Sequence, residues 1–193
     1  MKQTGRILSR FDLILYLSLT LFLVFGFFYD LKIAHFFNFE HNSFFDGVML
    51  FLSNTYFLIA LLLIVASILY FKNKKKEAVL IIISTAVTFL LSFLIKLLVA
   101  RARPDQAVIL LSDFSFPSIH AACIFSSVAI MLKFFSKLKF FWLGFAVLVS
   151  FSRIYLGVHY LTDVAFGAIL GYSIALLILK YSKMENKKWK NQN

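Results

Sequence analysis

The chain has 193 residues, 61% of them hydrophobic and 18% aromatic, with a formal net charge of +11. A soluble domain of this length leaves too much of its surface in water to hide so many apolar side chains, so lipid is the solvent for most of the chain. The positive charge does not mark a nucleic-acid binder, because the basic residues flank apolar runs instead of forming one patch, and no nucleic-acid partner is expected.

Only two prolines and seven glycines punctuate the sequence, and strand-type alternation is missing. The pattern predicts an all-α, integral-membrane bundle of six transmembrane helices near 11–29, 52–71, 78–100, 118–135, 140–156 and 160–180, each close to the ~20 residues that a bilayer requires. The first run follows Lys2, Arg6 and Arg10, as a signal peptide would. It has no small-residue cleavage site and exceeds the usual apolar region, so it is expected to stay as an anchor. Segment 30–51 reads as an outer loop in which Asn42 and Ser43 cap a short helix. Phe44, Phe45, Val48, Met49 and Leu52 of that helix face the membrane, either as a lid or lipid-entry ramp or as a plain connector. His35 and His41 are ordinary loop residues, and Trp142 and Trp189 suit interfacial anchoring or a cytoplasmic tail. Cys123 is the only cysteine, so no intrachain disulfide can form. The whole of 1–193 is one domain, with its core over 52–180 and a polar, basic, unstructured tail over 181–193.

Lysines and arginines distribute unevenly between the two sides. Fifteen of the twenty fall before the first run, in 72–76, in 133–139 or after 179. The other side holds Lys32, Lys96, Arg101, Arg103 and Arg153, which places both termini in the cytoplasm.

Three polar clusters interrupt the apolar sequence, each at the outer end of a predicted helix. Lys96 and Arg103, seven residues apart, share a helix face that Pro104 ends, and Lys96 lies about 27 Å along the axis from Ala78. Pro117-Ser118-Ile119-His120 opens the next run, with Ser118 as an N-cap and the first-turn amides turned toward an anion. Ser152-Arg153 precedes His159 and Asp163, which stand four apart on one face, so the carboxylate fixes the imidazole tautomer. Taken singly, each residue has a structural explanation: snorkelling, capping, anchoring or mutual satisfaction between helices. Asp105, Asp113 and Arg101 read as structural loop charges. Together, three cations, a helix N-terminus and two histidines at one membrane level describe a phosphate site. One histidine attacks phosphorus while the other protonates the leaving oxygen, and arginines with backbone donors supply the electrostatics without a metal or other cofactor.

These residues resemble the three-part signature of the type 2 phosphatidic acid phosphatase superfamily: K-x6-RP, PSGH and SR-x5-H-x3-D. Here the parts read Lys96-x6-Arg103-Pro104, Pro117-Ser118-Ile119-His120 and Ser152-Arg153-x5-His159-x3-Asp163. The resemblance implies that Lys96, Arg103, Ser118, Ile119 (through its amide) and Arg153 hold the phosphate. It also implies that His159 is the nucleophile, Asp163 its orienting partner and His120 the general acid, with Ser152 in a supporting role. Ile119 departs from the usual glycine. At an ordinary φ it still offers its amide, whereas a required positive φ would distort the site.

The implied activity is metal-independent hydrolysis of a membrane lipid phosphomonoester or diphosphate through a phosphohistidine. Undecaprenyl diphosphate is the leading substrate by analogy with small bacterial members, ahead of phosphatidate, phosphatidylglycerophosphate and lipid A phosphates. The alternatives of another class are an impaired lipid-phosphate-binding membrane protein and a transporter. The expected location is a bacterial inner or cell membrane, with the site on its periplasmic or extracellular side; the bilayer and its lipid phosphate are the expected partners, and the oligomeric state stays open.

Overall fold

The computed structural model describes residues 8–37, 43–105, 107–109 and 111–192, with residues 136 and 183–192 as backbone only. The described residues are all-α. In chain order they form α1 (Arg10–Phe37), α2 (Ser43–Leu52), α3 (Thr55–Phe71), α4 (Lys75–Val99), α5 (Ile119–Phe134), a 3-10 turn (Ser136–Leu138), α6 (Lys139–Tyr155) and α7 (Leu161–Gln192). Helices α1, α4 and the Leu161–Ser182 part of α7 are long and apolar enough to cross a membrane, and α2 with α3, bent by 52°, makes up to a fourth span. Their outward faces carry exposed aromatic and aliphatic side chains, including Phe27, Phe28, Tyr56, Phe71 and Leu98, as lipid contact requires.

Helix α5 occupies the centre. Ala121, Ala122, Ile124, Val128, Ala129 and Ile130 on it are wholly buried. The small side chains matter most toward α7. A Cβ on Gly171 would stand 1.9 Å from the Ala122 carbonyl oxygen, and one on Gly167 would stand 2.5 Å from that of Ser118. The two backbones therefore touch, as small-x3-small pairs permit where no hydrophobic drive separates helix from lipid. At the end opposite the polar clusters, buried Asp12 of α1 accepts from Lys133 of α5 at 2.9 Å and from Tyr172 of α7, which ties three helices together.

Several boundaries differ from the sequence-based expectation. Helix α1 runs on to Phe37, since nothing between 30 and 37 breaks a helix. The expected outer loop is thus partly helical, and in α2 Phe44, Phe45 and Val48 are exposed while Met49 turns inward against Leu156 and Val158. Residues 38–42, with His41 and the expected Asn42 cap, lie outside the described residues, as do Lys2 and Arg6 and the side chain of Trp189. A break at Ser53-Asn54 splits the second expected span, and the Asn54 side chain accepts from Phe57 N at 3.1 Å to start α3. Helix α4 stops at Val99, before Pro104. Ala100 takes a left-handed conformation at φ 49°, and Pro104 holds Arg103 away from helical geometry. Arg103 therefore does not share a helix face with Lys96. Beyond Lys180, α7 continues to Gln192 where an unstructured tail is expected; Lys, Met and Glu in that stretch are good helix formers.

Candidate active site

The end of α4 and the turn after it supply two of the expected cations. Lys96, buried in the last turn of α4, donates to the Phe114 carbonyl and pairs with Asp113 Oδ2 at 3.1 Å. The left-handed turn at Ala100 redirects the chain so that Arg103 meets the other Asp113 oxygen at 2.5 Å and donates through Nε to the Asp113 carbonyl at 2.9 Å. Asp113 thus joins the two cations that the broken helix does not. Ser115 fastens this loop to the chain after α4, its amide on the Arg101 carbonyl at 2.8 Å and its hydroxyl on that of Ala102 at 3.0 Å.

Ser118 stands at the N-cap of α5 with extended backbone, but its hydroxyl makes no cap bond. Its Oγ is buried with no hydrogen-bond partner among the described residues. The Ser118 amide donates to the Asp163 carbonyl at 3.0 Å, which locks the start of α5 to the start of α7. Ile119 is the first residue of α5 and takes no positive φ, so the backbone here does not require glycine. Its side chain packs at the margin of the core. His120, in the first turn, faces Thr55 Oγ1 at 3.3 Å from its Nε2 and lies within electrostatic reach of Arg153 and His159.

Arg153 ends α6, buried, with Nη1 donating to the Ser53 carbonyl at 3.0 Å and to the Ser53 hydroxyl, while its Nε has no partner among the described residues. Ser152 bonds back to the Val149 carbonyl at 2.7 Å within its own helix, a packing role. A turn through Gly157, at φ 64°, then brings His159 back under Arg153, whose carbonyl accepts the His159 amide at 3.2 Å. His159 precedes α7, which begins at Leu161, so it meets Asp163 through this turn and not along one helix face. Asp163 Oδ2 accepts from the Tyr160 amide at 2.9 Å, the carboxylate half of a capping box, and lies 3.5 Å from His159 Nδ1.

The other imidazole nitrogen, His159 Nε2, faces Arg103 Nη1 at 3.4 Å. A guanidinium only donates, so this contact assigns the lone pair to Nε2 and the proton to Nδ1, beside the carboxylate. Burial, followed by the charges of Arg153, Arg103 and Lys96, pushes the imidazole well below its ordinary pKa; Asp113 acts weakly the other way. The neutral form of His159 is thereby favoured, with Nε2 turned toward cations.

The structure brings Lys96, Arg103, Ser118, His120, Arg153, His159 and Asp163 to one end of the bundle through these contacts. It also adds residues that the sequence reading left out. Ser53 and Thr55, at the break between α2 and α3, hold Arg153 and His120. Asp113 spans the two cations, and Arg101 bonds Asp163 Oδ1 at 2.6 Å. Asp113 and Arg101, expected as structural loop charges, do make structural ion pairs, and the partners include residues of the site. In the sequence, Ser53-Asn54-Thr55 is a short polar interruption of an apolar run, the signal that could have found Ser53 and Thr55.

A histidine nitrogen held among cations, with a carboxylate behind it, lies at one end of a lipid-facing helical bundle, and this is the class of membrane protein that the fold defines. The family model of the PAP2 superfamily matches residues 77–187, and the chain belongs to this superfamily. Among curated proteins the chain is 43% identical to phosphatidylglycerophosphatase B of Bacillus subtilis over 101 residues, covering 46% of this chain and 50% of that relative. It is 46% identical to an undecaprenyl-diphosphatase of Sulfolobus acidocaldarius over 69 residues, covering 34% of this chain and 32% of the relative. The chain thus spans half or less of the length of these relatives. Among solved structures, the fold is similar to a transmembrane PAP2-type phosphatidylglycerolphosphate phosphatase from Bacillus subtilis, with TM-score 0.72 and 27% identity over 88% of this chain and 96% of that one. It is also similar to Aquifex aeolicus LpxE, with TM-score 0.64 and 25% identity over 79% and 95% of the two chains. The protein is an integral membrane protein of this family.

Proposed function

We propose that the chain is a phosphatase of membrane lipid phosphates that works through a phosphohistidine at His159. The observation that carries this reading is the placement of His159 Nε2, 3.4 Å from Arg103, with Asp163 3.5 Å from Nδ1. In the first step Nε2 attacks phosphorus, the bond from phosphorus to the lipid oxygen breaks, and His120 gives that oxygen its proton. In the second step His120 takes a proton from water, the hydroxide attacks phosphorus, and the N–P bond breaks to release phosphate and restore His159. Lys96, Arg103 and Arg153 neutralise the charge that builds on the phosphoryl oxygens, together with the Ser118 hydroxyl and the amides at the start of α5. This is electrostatic work that needs no metal.

The topology belongs to the same proposal. Six crossings, by α1, the α2–α3 pair, α4, α5, α6 and α7, put both termini in the cytoplasm and the site at the outer surface, as the lysine and arginine asymmetry favours. Exposed Phe44, Phe45, Phe51 and Tyr56 beside the α2–α3 break suit a lipid approaching from the bilayer.

The substrate class is a lipid phosphomonoester or diphosphate. Undecaprenyl diphosphate and phosphatidylglycerophosphate lead, since relatives named for hydrolysing each are similar to this chain. Purified protein is assayed for phosphate release from these two lipids, phosphatidate and lipid A phosphates, in detergent with a chelator present. The expected result is release from at least one lipid, undiminished by the chelator and abolished by His159→Ala. Strict dependence on magnesium, or full activity in His159→Ala, overturns the mechanism. The ordinary backbone at Ile119 leads us to expect little change in Ile119→Gly; a large gain from an inactive baseline would favour a lipid-phosphate-binding protein instead.

A further inference from the structure

Near the outer end of α1, the buried carboxylate of Asp30 lies against the N-terminus of α7. Its Oδ1 accepts from the Thr162 amide at 3.0 Å, and its Oδ2 accepts from the Thr162 hydroxyl and from Arg101 Nη2 at 2.9 Å. Arg101 then reaches onward. Its Nη1 donates to Asp163 Oδ1 at 2.6 Å, and its guanidinium lies over the Tyr160 ring, 4.0 Å from the centroid. The second oxygen of Asp163 is the one that faces His159. Asp30, Thr162, Arg101 and Asp163, from α1, the turn after α4 and the start of α7, thus form one bonded chain, and its last carboxylate stands 3.5 Å from the imidazole Nδ1, which makes no hydrogen bond among the described residues.

The helix carrying Asp30 is built to approach this closely. Gly26, one turn earlier, has no side chain where a Cβ would stand 3.0 Å from Thr162 Cγ2 and 3.2 Å from Asp30 Oδ1. Both Gly26 and Asp30 fall outside residues 77–187, the stretch that matches the family model.

We infer that Asp30 and Arg101 are positioning residues for the His159–Asp163 pair. Together they grip the Oδ1 side of Asp163 and so hold Oδ2 toward the imidazole. Arg101 alone would fix Asp163 but also draw its negative charge away from the imidazole. Asp30 shares the guanidinium, so the clamp is close to neutral and Asp163 keeps its charge for the positive ring that forms as Nε2 bonds to phosphorus. Helix α1 therefore acts as a supporting wall of the site as well as a span. This inference rests on the phosphohistidine reading above.

The test is steady-state kinetics of Asp30→Asn, Arg101→Met, Arg101→Lys, the double variant Asp30→Asn/Arg101→Met and Asp12→Asn, on the lipid phosphate hydrolysed fastest by the parent protein. Asp30→Asn is expected to lower kcat on the order of 10- to 100-fold with KM nearly unchanged, the signature of lost orientation. Arg101→Lys recovers part of the loss of Arg101→Met, and the double variant is no slower than Arg101→Met alone because both act through one clamp. Asp12→Asn, which loosens the same helix at the opposite end, lowers thermal stability while kcat stays at the parent value. Parental kcat in Asp30→Asn, or losses that merely add in the double variant, overturns the inference. If Asp30→Asn does not fold, Arg101→Lys decides: reduced kcat at unchanged KM supports the clamp, and parental kinetics overturns it. His159→Ala separates the two claims. Activity in that variant sinks the phosphohistidine reading, whereas an inactive His159→Ala beside a parental Asp30→Asn sinks the clamp alone.

Discussion

Asp113 places one carboxylate between two of the three cations assigned to phosphate. Burial pushes its pKa up, but Arg103 and Lys96 outweigh that and hold it below the usual carboxylate value, so it is ionised at neutral pH. An arriving phosphoryl group must displace this internal anion or share the cations with it. Asp113→Asn is therefore expected to tighten inhibition by orthovanadate. The group is 53% exposed, so screening limits the gain to roughly 0.2–1 kcal/mol; weaker inhibition would show that Asp113 pre-organises the cations instead. For His159 the sign runs with its depressed pKa. In the proposed mechanism the attacking form is the unprotonated imidazole, which the lowered pKa favours below the ordinary value of 6.5. The acid limb of a kcat/KM profile for the free enzyme is thus expected below pH 6.5, with activity lost as pH falls through the depressed pKa. A limb at or above 6.5 would mean that the nucleophile titrates in an exposed or anionic setting. The residues of the site that spacing could reveal were those that fit a known pattern: Lys96, Arg103, Ser118, His120, Arg153, His159 and Asp163. Asp30 and Arg101 were not legible in the same way. Their partners lie 71 and 62 residues away, and nothing local in the sequence records such a pairing.

Among the elements, α5 and α7 set the geometry, because their contact fixes the Ser118 amide on the Asp163 carbonyl. Gly171→Ala forces a methyl to within 1.9 Å of the Ala122 carbonyl oxygen unless the helices part. Overpacking of this kind costs about 1–3 kcal/mol. A lower unfolding temperature in detergent, with a parallel loss of phosphate release, is expected. Gly144→Ala, where a Cβ meets nothing within 4 Å, is the comparison and is expected to leave both unchanged. Equal behaviour of the two variants would contradict the close-packed account. The helices themselves were legible because apolar runs of spanning length admit few other structures. Their ends were less so. Ala100 adopts a left-handed turn that alanine does not advertise, and the Ser53-Asn54 break contains neither proline nor glycine.

At the scale of the molecule, one end of the bundle is held by the Asp12, Lys133 and Tyr172 tie, and the other gathers the cations and both histidines. The count of lysines and arginines leads us to expect the end that carries the site on the outer side of the membrane. Sidedness can be read by replacing Cys123 with Ala and placing a single cysteine at Asp105. A membrane-impermeant maleimide is expected to label it from outside intact cells, and labelling only after lysis would reverse the orientation. The central claim, that separate stretches of chain converge to pass a phosphoryl group through one imidazole, is tested most directly by rapid-quench trapping. With a lipid phosphate labelled at phosphorus, the account predicts an acid-labile, base-stable label that forms faster than turnover and maps to His159. Steady phosphate release with no label on His159, or a label on another residue, would contradict it.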